Sequence, residues 1–107
     1  MNPPAAPDAA LIAAVRRWLA ERRALWINQA YLHEGEPAQR EYFLKPLDGG
    51  AIQLGFDDWL DRYEDATDLY FRYERQRFDS LEVALVYTFE QLPLRAADFG
   101  RAMGVVR

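Results

Sequence analysis

The chain has 107 residues, no cysteine, an apolar half and a net charge of −4 with a pI near 4.9. That length suits one domain with a continuous core, and the missing cysteine excludes disulfides, thiolate metal sites and thiol catalysis. The acidic balance argues against a nucleic-acid partner, since phosphate backbones repel it at long range, and no stretch nears the roughly 20 apolar residues of a membrane span.

Residues 1–7 are rich in Pro and Ala and are expected to fray, leaving 8–107 as a single globular domain. The following apolar run is short and its arginines come after it, unlike a signal peptide, so a cytoplasmic protein is expected. Asp8 suits an N-cap for a long helix over 9–32. Its apolar stripe holds Leu11, Ile12, Val15, Trp18, Leu19, Leu25, Trp26 and Ala30. Arg22 falls in the middle of that stripe, one turn from Trp18 and one from Trp26. A guanidinium there needs a carboxylate of the same chain, a snorkelling stem or an interface. Trp and Arg together also make a candidate binding patch, because these types dominate interface hot spots.

Residues 33–39 contain Gly35 and Pro37 and read as a loop. The segments EYFLKP and AIQLGF then flank Leu47-Asp48-Gly49-Gly50, a β-hairpin signature. Pro46 places its strand at an edge or at its end. Two strands alone are marginal, so helices or a third strand must support them.

Residues 56–77 read FDDWLDRYEDATDLYFRYERQR. At 100° per residue, Asp57, Asp58, Asp61, Glu64, Asp65 and Asp68 gather on one side. Phe56, Trp59, Leu60, Tyr63, Ala66, Tyr70 and Tyr73 gather on the other. This predicts an amphipathic acidic helix, with acids in its first half and Arg72, Arg75 and Arg77 at its end, as the macrodipole favours. Trp59, Tyr63 and Tyr70 are then core residues, and Asp58, Asp61 and Asp65 are solvated. Asp79 with Glu82 resembles a capping box, which predicts a helix over 80–92 closed by Pro93. The stretch 83–89 is apolar nearly all round and rich in strand formers, so a third strand is the alternative. A short helix over 94–103 ends at Gly104. The tail also has the flavour of the first helix and turn of a helix-turn-helix, with no recognition helix after Arg107.

The inventory of reactive groups is thin: Ser80, His33 and Lys45 are the lone serine, histidine and lysine. A Ser–His–acid triad would have to use Ser80, which already has a helix-start role. Neither GxxxxGK[ST] nor GxGxxG occurs. His33 beside Glu34 and Glu36 is a weak ligand set. No catalytic, cofactor-binding or metal site is expected.

The sequence therefore predicts a helix-dominated α+β domain: long N-terminal helix, hairpin, acidic helix, apolar helix or third strand, and short C-terminal helix. The expected function is a small acidic protein-binding modulator, in its most concrete form an immunity- or antitoxin-like inhibitor occluding a basic partner enzyme. Its candidate contact residues are Asp57, Asp58, Asp61, Glu64, Asp65 and Asp68, with Arg22, Trp18 and Trp26. The alternative is a homo-oligomer, a homodimer for instance, joined through aromatic surface; a metal-assisted enzyme using the acidic stripe comes third.

Overall fold

A computed structural model describes residues 6–63, 65–66 and 69–104. Three helices, α1 (Ala9–Arg22), α2 (Leu81–Gln91) and α3 (Ala96–Ala102), accompany four strands. The strands β1 (Leu25–His33), β2 (Glu36–Pro46), β3 (Ile52–Leu60) and β4 (Arg72–Phe78) form one antiparallel sheet in the order β1-β2-β3-β4. The fold is α+β but not helix-dominated, which corrects the expectation from the sequence.

Two predicted helices account for most of the difference, and the loop expected over 33–39 accounts for the rest, because its last four residues begin β2. The long helix over 9–32 stops after Arg22. Arg23 takes a left-handed conformation, φ 66°, and its N–H closes on Leu19 O. Residues 25–32 then alternate along β1, with Leu25 and Ile27 inward and Trp26 and Asn28 outward. Period two, not 3.6, describes that half. The acidic helix over 56–77 does not form. Its first residues complete β3, a 3-10 turn occupies Asp61–Tyr63, and its arginine-rich end is β4. Glu64 and Asp68 of that predicted stripe lie outside the described residues, as do residues 1–5 of the predicted frayed terminus and 105–107 of the tail.

Other expectations agree with the structure. β2 and β3 form the hairpin, joined across the Asp48–Gly50 turn with Gly49 at φ 77°, and Pro46 is the last residue of its strand. Residues 81–91 are helical rather than a strand; the N-cap is Ser80, whose hydroxyl accepts from Val83 N, and not Asp79. The α3 helix occupies most of the predicted 94–103.

The sheet has two unlike faces. Leu25, Ile27, Tyr42, Leu44, Ile52, Leu54 and Phe56 point to the side where Val15, Leu19, Leu85, Phe89 and Phe99 descend from the helices, forming the core. No residue of that core comes from the other face, which carries Trp26, Phe43, Lys45, Glu41, Asp57, Trp59, Tyr73 and Arg75 in the observed register. No described helix is long and apolar enough to cross a membrane.

Candidate functional site

The uncovered face is built around Gly55. A Cβ at that position would lie 1.9 Å from the Phe43 ring, so only glycine leaves room for the ring to lie flat on the sheet. Phe43 is thereby buried, although among the described residues it is not part of the core beneath the helices. Trp26 leans against it with ring centroids 4.9 Å apart. The Lys45 ammonium stands 4.9 Å and the Arg75 guanidinium 4.7 Å from its centroid. This cation–aromatic slab is rigid because its rings stand on hydrogen-bonded strands. Trp26 and Tyr73 remain 44% and 58% exposed.

Beside the slab the charge changes sign. Glu41 on β2 and Asp57 on β3 are directly opposite each other. Like charges in that relation destabilise a sheet. Arg75 Nη1 reaches Asp57 Oδ1 at 2.7 Å and so compensates one of the two. Glu41 has no ion-pair or hydrogen-bond partner among the described residues. Burial and the facing Asp57 raise its pKa above the ordinary value, and Arg75 draws it partly back. Next along the face, Asp61 accepts a hydrogen bond from Gln39 Nε2 at 3.0 Å. Asn28, Gln39, Glu41, Trp59 and Asp61 enclose a recess of about 280 Å³. The indole N–H of Trp59, which lines this recess, is buried without a hydrogen-bond partner among the described residues. Among the described residues no three His, Asp or Glu side chains converge as a metal site would require.

The candidate residues of the sequence analysis are dispersed by this fold. Asp57 and Asp58 are buried, 5% and 3% exposed, and face opposite sides of the sheet. The expectation that Asp58 is solvated is therefore wrong: it pairs with Arg40 at 3.0 Å, directly across from it on β2. Asp61 and Asp65 are exposed, Trp59 is buried, and Tyr63 and Tyr70 are half-buried. Trp18 is half-buried and donates its indole N–H to Ala24 O at 2.9 Å. Arg22 lies 4.0 Å over the Trp18 ring and 3.3 Å from Glu21, so it does have a carboxylate of its own chain, in solvent. Trp26 sits on the sheet face away from the helices, so the three do not form one patch. Glu41, Lys45, Phe43 and Gly55 were missed as functional candidates. Their significance lies in the β2–β3 register, which no local pattern encodes.

Comparison with family models, with curated proteins and with solved structures finds no match to this chain.

Proposed function

We propose that this chain is a non-enzymatic cytoplasmic protein-binding modulator whose partner inserts a basic side chain into the recess of Glu41 and Asp61 on the uncovered sheet face. The observation that carries this reading is the cross-strand pair of like charges, Glu41 opposite Asp57, with Arg75 ion-paired to the second and not to the first. A sheet gains nothing in stability from such a pair. Local features that oppose stability are expected where function requires them. An arriving guanidinium or ammonium would relieve the repulsion and gain charge-assisted hydrogen bonds. Exposed Trp26 and Tyr73 flank the site as anchors of the type that dominate hot spots. Inhibition by occlusion of a basic enzyme, immunity- or antitoxin-like, is the form this takes.

The test uses the chain as bait in extracts of its native host, beside its Glu41→Lys variant, with circular dichroism confirming that both are folded. Wild type should retain a basic protein that salt releases, and Glu41→Lys should lose it. Equal retention by the two baits would sink the reading.

A further inference from the structure

The uncovered face holds a basic group as well as the recess that would receive one. Lys45 has no carboxylate partner among the described residues; its ammonium rests over Trp26 and Phe43. Glu41 lies four residues away on the same strand and the same face, roughly 13 Å at the usual strand rise. Phe43 is midway between them. The face is thus charge-segregated about an aromatic slab, with Lys45 on one side and Glu41 on the other, neither ion-paired among the described residues.

Such a surface is complementary to itself. A two-fold axis lying between two sheets and crossing the strands at Phe43 places Lys45 of one copy over Glu41 of the other, twice. The same operation brings exposed Tyr73 of one copy over Arg77 of the other, since these residues lie one step to either side of Arg75 on β4. Trp26, nearly level with Phe43, meets its own copy near the axis. Arg75 also approaches its own copy, but each is neutralised by its own Asp57. The reciprocal charged pairs lie on the inner strand β2 and the exposed aromatics Trp26 and Tyr73 on the edge strands β1 and β4, so aromatic contacts flank the ion pairs on both sides.

We propose that a second copy of this chain docks on the uncovered face through reciprocal Lys45–Glu41 pairs, forming a face-to-face dimer that closes the sheet in the absence of another partner. This rests on the reading that the recess takes a basic side chain, and identifies Lys45 of a second copy as one that fits.

Light scattering and sedimentation on the full chain test it, with thermal melts confirming that each variant is folded. Wild type should have the mass of a dimer and dissociate more readily as salt is raised. Glu41→Lys and Lys45→Glu should each raise the dissociation constant at least tenfold, because each homodimer then carries two like-charge contacts. An equimolar mixture of the two variants should dimerise again, because both contacts in the mixed dimer become attractive. A monomeric wild type would overturn the proposal. So would a dimer indifferent to both variants, which would place association elsewhere, at exposed Val83 and Val86 of α2 for instance. Failure of the mixture to recover would overturn it too. A monomer whose Glu41→Lys variant still loses a basic host protein would end the dimer proposal while leaving the functional reading in place.

Discussion

Asp57 and Asp58 are neighbours in sequence and opposites in structure. Asp58 faces the helix side and meets Arg40 directly across the β2–β3 ladder; Asp57 faces the uncovered side and meets Glu41. One rung is an attractive pair and the next is repulsive. On the helix side charges are matched and rings are covered: Arg40 spans Asp58 and the Tyr31 ring, and Tyr42 is sealed beneath the helices. On the other side, rings are laid flat on a glycine and a carboxylate is left without a partner. The first face is arranged for folding, and the second accepts a local penalty that folding alone does not explain. The contrast singles out a candidate site more sharply than the local acid count along the chain does.

The largest test of this contrast compares two buried phenylalanines. Phe99→Ala, on the helix side, should cost about 3–5 kcal/mol, because the fully enclosed site cannot collapse. Phe43→Ala should cost about 2 kcal/mol, mainly the transfer term, because water and Trp26 can fill its space. Chemical denaturation measures both; equal losses would remove the distinction between the faces.

Asp58→Ala comes next. It leaves Arg40, only a quarter exposed, without its carboxylate, and should cost about 1.5–3 kcal/mol. Asp58→Ala with Arg40→Leu should recover part of that loss. No recovery in the double mutant would show that the loss does not come from the stranded guanidinium.

A third test uses alkali. Burial pushes the Tyr42 hydroxyl up to about 12 from its ordinary 10.0. The folded state therefore holds the proton that the unfolded state releases. Stability from this group is complete below pH 10 and falls as pH rises toward 12, with roughly 1 kcal/mol lost by pH 11. Its hydroxyl has no hydrogen-bond partner among the described residues, so Tyr42→Phe should fold and should flatten that part of the profile. An identical alkaline slope in wild type and Tyr42→Phe would contradict the assignment.

The smallest effect is the most diagnostic for the uncovered face. Glu41→Gln removes the repulsion with Asp57 and should stabilise the chain by about 0.5 kcal/mol at pH 7. Because the Glu41 pKa is raised, wild type gains its own relief as pH falls and the carboxyl protonates, so the advantage of the variant should vanish in acid. Melting temperatures at pH 7 and pH 4 decide this; a destabilised Glu41→Gln would mean that Glu41 serves the fold.

Local chemistry made several elements legible. Asp8 caps α1, the Asp-Gly-Gly turn joins β2 to β3, and Pro93 follows the end of α2, each through interactions spanning only a few residues. The α+β class and the thin catalytic inventory could also be read directly. The acidic helix could not be distinguished from a strand and turn, because residues 56–60 satisfy period 3.6 on paper while their backbone partners lie on β2 and β4. What decided for the strand is non-local: Asp58 finds Arg40 and Asp57 finds Arg75, both 18 residues away. The same long-range pairing turned residues 25–32 from helix into β1 and set Trp26 on the uncovered face. A strand's hydrogen bonds and a site's electrostatics both depend on which residue lies across the ladder. That register, which places Glu41 opposite Asp57 and Phe43 over Gly55, arises only when the chain closes on itself.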